Sequence, residues 1–192
     1  SFSSSLIMIG VIGGLIAAII TIFNKHLSMY TVPIYAIFEG LALGSISNIF
    51  EQMYPGIVSQ AVFLTFGIMG ALLFAYKTKM IQVTKNFKLG LFAATGGIAI
   101  VYLINFIMSF WGGGISVMNI NNTSLFSIGF SLFVIVIASL NLVLDFDFIE
   151  EASERNVPKY MEWYATFGLL ITLIWLYLEI LRLLSKLYSR RN

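Results

Sequence analysis

The stretch Ser124-Leu-Phe-Ser-Ile-Gly-Phe-Ser-Leu-Phe-Val-Ile-Val-Ile-Ala-Ser-Leu-Asn141-Leu-Val-Leu-Asp145-Phe-Asp147-Phe-Ile-Glu150-Glu151 decides the fold. Its first part carries no charge and is about as long as the ~20 residues that a helix needs to cross a bilayer. A backbone in lipid must satisfy its own amides, so the run predicts a membrane helix. After a short polar connection the chain re-enters apolar sequence at Pro158-Lys159-Tyr160-Met161-Glu162-Trp163, which predicts a helical hairpin. Five of the nine acidic residues, Asp145, Asp147, Glu150, Glu151 and Glu154, crowd this junction. Carboxylates at the mouth of a membrane hairpin are costly to hold charged, and cations or protons are the obvious reason to keep them there.

Working outward, the whole chain of 192 residues is 59% hydrophobic and 10% charged. Soluble domains carry about 25% charged residues, so lipid is the solvent for most of this surface. The net charge of +2 is too small and too scattered to suggest a nucleic-acid partner. There is no cysteine and one histidine, His26, so neither a disulfide framework nor a multi-histidine metal centre can form within one chain. Six apolar segments follow one another at roughly 5–23, 33–51, 57–76, 90–111, 124–146 and 159–185. Short connections join them, so the expectation is an all-α polytopic membrane protein with residues 1–192 in a single transmembrane domain.

The connections after segments one, three and five hold Lys25, the lysines of 77–88, Arg155 and Lys159. The positive-inside rule puts that side in the cytoplasm. The same alternation sends Lys186, Arg190 and Arg191 to the outside, against the rule. Either the last segment does not cross fully or the earlier loops dominate.

Polar residues inside the segments are the candidate functional groups. Glu39 lies about two turns into the second segment, where an acid marks a functional site by default. Gly40, Gly44 and Asn48 follow at four-residue steps and predict a small, polar stripe turned to the interior. Gly10 and Gly14 form a close-packing pair on the first helix. Asn141 and Asp145 share one face of the fifth helix, and Asp147 points about 200° away. Asp145 is expected about one turn inside the end of that helix and Glu162 about one turn inside the start of the sixth, at one depth. Two such carboxylates cannot both stay ionised, which makes a pH sensor, and deprotonated they offer oxygens to Ca²⁺. The plainer reading is that Asp145 and Asp147 terminate the helix in interfacial water. Glu179 lies 17 residues beyond Glu162, about 25 Å further on, and with Arg182 predicts a structural ion pair.

The run Ser139-Leu-Asn-Leu-Val-Leu-Asp145-Phe-Asp147-Phe-Ile149 resembles the sixth-helix motif of the transmembrane Bax inhibitor motif family, which includes Bax inhibitor-one and YccA-like proteins. Lys159-Tyr-Met-Glu162-Trp-Tyr164 and Leu176-Tyr-Leu-Glu179-Ile-Leu-Arg182 resemble its bacterial branch, as do Tyr35-Ala-Ile-Phe-Glu39-Gly-Leu-Ala-Leu-Gly44 and Ala94-Thr-Gly-Gly97. The resemblance implies a seven-helix fold of which this chain carries six, in keeping with its abrupt apolar start. It implies a pH-sensitive calcium leak gated by two aspartates on the last two helices. Asp145 matches the first, as gate and Ca²⁺ ligand. Thr172 stands where the second is expected, which leaves Glu162, Asp147 or Glu39 to supply a partner carboxylate, with Glu39, Asn48, Asn141 and Thr172 as polar pore lining.

The expectation is therefore a non-enzymatic Ca²⁺ leak in a bacterial cytoplasmic membrane. It has no cofactor beyond the transported ion, and its partners are the bilayer, Ca²⁺ and protons. The alternative, also implied by the resemblance, is a membrane interaction protein that regulates a membrane protease or a stress or cell-death partner. An intramembrane protease is disfavoured, since no span holds a histidine and the aspartates are not two mid-membrane acids on separate helices.

Overall fold

A computed structural model describes residues 2–191, with side chains from Ser4 onward. Among these residues the regular structure is all helical: α1 (Phe2–Phe23), α2 (Ser28–Met53), α3 (Ile57–Lys77), α4 (Lys85–Ser109), α5 (Leu125–Glu154) and α6 (Tyr160–Arg191). Single 3₁₀ turns stand at Lys25–Leu27 and Ser116–Met118. All six long helices have the length and apolar composition to cross a membrane. Phenylalanines such as Phe63 and Phe92 are more than three-quarters exposed, a surface suited to lipid.

Helix ends depart from the hydropathy boundaries for local reasons. Helix α2 starts before Pro33 rather than at it. The proline sits in the second turn, where its missing N–H leaves only an early carbonyl, that of Met29, without its helical donor. Glu51 then stitches α2 to α3 around the Pro55-Gly56 turn. Its Oε1 accepts from Gly56 N at 2.6 Å and its Oε2 from Val58 N at 3.1 Å, so a carboxylate caps the α3 N-terminus. Gly56 has φ +88°, a conformation that glycine adopts without strain. Thr84 caps α4 by accepting from Phe87 N at 3.1 Å, which moves that helix start ahead of the apolar run, to Lys85.

The largest departure is in α5. Glutamates are good helix formers, so Glu150, Glu151 and Glu154 prolong the helix eight residues past the expected end at 146. Arg155 pairs with Glu151 at 2.5 Å, and Asn156 leaves the helix at φ +48°. Asp145 and Asp147 therefore do not terminate the helix.

Contacts divide the chain into two compact units, residues 1–58 with 145–171, and residues 59–144 with 172–192. In the first, glycines of α1 receive α2: a Cβ at Gly10 would stand 2.6 Å from Phe38 O, and one at Gly13 would enter the Phe38 ring. Thr21 and Thr31 hydroxyls meet at 2.7 Å between the same helices. Tyr35 meets Phe167 edge-on at 5.0 Å between centroids. The second unit is built on Leu91, Ile98, Val134 and Ile137, with Tyr102, Phe130 and Trp175 packed around them.

Within the second unit the end of α6 reaches the α4–α5 loop, because Lys186 Nζ donates to Val117 O at 2.9 Å. Helix α6 has 32 residues, about 48 Å at 1.5 Å per residue, enough to cross fully. Lys186 is wholly buried, so it is no loop charge for the positive-inside rule to count.

Candidate functional site

Asp145 stands in the interior part of α5. Glu154, the last helical residue, lies nine positions on, about 13 Å along the axis. The carboxylate is half-buried, with Oδ2 shut off from solvent. Its Oδ1 faces Gly168 of α6, where an added Cβ would lie 3.4 Å away. Phe146 and Phe167, both buried, flank this meeting point along the two helices. The sequence reading puts Glu162 at the same depth as Asp145, and the structure corrects that depth. Glu162 is exposed in the first turn of α6, and Gly168 lies six residues deeper, about 9 Å. The extra turns of α5 carry Asp145 past the level of Glu162. Instead, Glu162 lines an open cavity of about 460 Å³ at the hairpin mouth with Ile149, Val157, Met161 and Thr166. Asp147 is half-buried on α5.

Glu39 is half-buried against α1, and Gly14 is the reason it fits: a Cβ there would lie 2.6 Å from Glu39 Oε1. The glycine therefore serves the carboxylate as much as the helix contact. The stripe Gly40, Gly44 and Asn48 is exposed, and added Cβ atoms at both glycines would meet nothing within 4 Å. Its expected inward orientation is corrected. Helix α1 engages Phe38, Glu39 and Ala42, and Gly40 lies about 200° round the helix from Phe38.

In the second unit Asn141 donates to Thr95 Oγ1 and to Ile137 O, both at 2.8 Å, and so ties α5 to α4. Thr172 is buried on α6. Glu179, 2% exposed, pairs with Arg182 at 3.0 Å. The Tyr102 hydroxyl donates to Glu179 Oε1 and accepts from Arg182 Nη1 at 3.0 Å, which closes a three-residue ring of hydrogen bonds. Sequence reasoning missed Tyr102 as the third member and Lys186 as an internal charge. The signal was present: Glu179, Arg182 and Lys186 fall at i, i+3 and i+7, one face of α6. It also missed Gly168, whose role shows only when the hairpin register is known.

Among the described residues no three Asp, Glu, His or Cys side chains converge as metal ligands. The profile of the family described as Bax inhibitor 1 like matches residues 1–189. No curated protein and no solved structure matches the chain.

Proposed function

The chain belongs to the Bax inhibitor 1 like family of membrane proteins, and from that premise we propose that it is a pH-sensitive Ca²⁺ leak whose titrating gate is Asp145. The observation that carries the reading is the placement of this carboxylate. It lies well inside an unbroken membrane helix, with one oxygen shut off from solvent and the other against a glycine of the next helix. A carboxylate so placed is expensive to ionise without a cation, and protonation or a passing Ca²⁺ relieves that cost. Resident Ca²⁺ sites use six to eight oxygens, several from carboxylates. Among the described residues no group of three such ligating side chains is assembled, which suits an ion held weakly and released, as conduction requires.

In this reading Asp147, two residues on, and Glu39 add negative potential in the same unit. Asn141 and Thr172 are polar lining of the second. Glu162, exposed at the mouth, attracts cations without setting the gate. The lysine-bearing connections face the cytoplasm, and the host membrane is a bacterial cytoplasmic one. No catalytic chemistry is assigned. Ca²⁺ flux into liposomes across a pH series, wild type beside Asp145→Asn, tests the proposal.

A further inference from the structure

Lys186 is fully buried near the end of α6, and among the described residues its ammonium group donates hydrogen bonds to neutral oxygens. They are Ser131 Oγ at 2.8 Å, Val117 O at 2.9 Å and Ser127 O at 3.3 Å. Three donors meet three acceptors, the full inventory of an ammonium. The acid nearest along its own helix, Glu179, lies seven residues back, about 10 Å, and is engaged by Arg182 and Tyr102. Burying a charged lysine on this helix is therefore a large commitment, and its return must lie in what the oxygens hold.

What they hold is the α4–α5 loop. Ser127 and Ser131 stand one turn apart on α5, while Val117 belongs to the loop. Val117 O also accepts from Ser127 Oγ at 2.9 Å. Two residues before Val117 the loop is also held by Asn105 of α4, whose Oδ1 accepts from Ile115 N at 2.8 Å. Around these anchor points the sequence gives little stiffness of its own. Residues 110–124 carry no charge, and they include Gly112, Gly113 and Gly114, with Gly112 at φ +73°.

We propose that Val117 O, Ser127 O and Ser131 Oγ form a site for a primary ammonium ion, that its resident ion is the chain's own Lys186, and that this tethered cation latches the α4–α5 loop onto α5 and α6. The site is selective by chemistry. Without a carboxylate it does not compensate a divalent ion. The planar guanidinium fork of arginine does not match three converging oxygens, whereas the compact ammonium does.

The absence of cysteine makes the test direct. Met118→Cys, at a half-buried loop position, gives the full chain one thiol for a membrane-impermeant maleimide. Adding Lys186→Ala is expected to speed labelling by about tenfold, the change that about 1.4 kcal/mol of lost loop closure produces. Ethylammonium should slow it again by filling the vacated site, and tetramethylammonium, equal in charge but without N–H donors, should not. Lys186→Met, which fills the space, should label fast with either ion. Labelling unchanged in Lys186→Ala, or fast labelling that ethylammonium does not slow, overturns the proposal. If Lys186→Ala does not fold, Ser131→Ala serves instead: a severalfold rise supports the latch and no rise overturns it. The readout contains no Ca²⁺, so its failure is separable from failure of the leak.

Discussion

Oδ1 of Asp145 lies against Gly168, with 3.4 Å between it and the position a Cβ would take. That spacing is ordinary van der Waals contact for one methyl and too little for a branched side chain. Gly168→Ala is therefore expected to leak Ca²⁺ with the wild-type pH response. Gly168→Val should flatten that response while the protein still elutes as a single folded species. A wild-type response in Gly168→Val would remove Gly168 from the site.

The ring formed by Tyr102, Glu179 and Arg182 makes a prediction about stability. Removing Arg182 leaves a carboxylate that is 2% exposed without its ion pair, a loss of about 3–5 kcal/mol for a buried charge. Arg182→Met should therefore unfold at much lower denaturant than wild type. Tyr102→Phe removes one shared hydroxyl and should cost about 1–3 kcal/mol. Because the three groups share hydrogen bonds, the double variant should cost less than the sum of the singles. Strict additivity in reversible unfolding would show that the ring is not a unit.

The α1–α2 contact separates two glycines of similar sequence context. A Cβ at Gly10 would press on backbone, 2.6 Å from Phe38 O, whereas one at Gly40 would meet nothing within 4 Å. Gly10→Ala is expected to destabilise by about 1–3 kcal/mol, the range for overpacking. Gly40→Ala should change stability by less than about 0.5 kcal/mol. Thermal melts of the two variants in one detergent check this, and a larger loss in Gly40→Ala would contradict the assigned helix face.

The turn cap gives a further check. Glu51 holds two amides at the start of α3, Gly56 N and Val58 N. Glu51→Ala should lower the melting temperature, and Glu51→Gln, which keeps an acceptor, should lower it less. Equal losses would mean that charge rather than hydrogen bonding carries the cap.

What the sequence made legible follows from what hydropathy measures. Six long apolar runs yielded six helices, because lipid leaves the backbone no alternative. The length of α5 was hidden because Glu150, Glu151 and Glu154 look like the end of a span yet favour helix. That error of two turns misplaced Asp145 relative to Glu162 and concealed Gly168. The face of Gly40 and Gly44 was misread because a small-residue stripe shows that a helix can pack closely, not which side does so. Glu179 and Arg182 were legible as a pair at three-residue spacing. The i+7 spacing put Lys186 on the same face, but its burial was not legible, because its acceptors are backbone carbonyls and serine oxygens, which carry no pattern in sequence.

The central claim is that Asp145 gates a Ca²⁺ pathway, and flux into proteoliposomes across a pH series tests it most directly. Wild type should pass Ca²⁺ above empty liposomes at a rate that changes across the series. Asp145→Asn should lose that change, and Glu162→Gln, altered only at the exposed mouth, should keep it. No flux from folded wild-type protein at any pH, or a pH response in Asp145→Asn equal to wild type, would contradict the account.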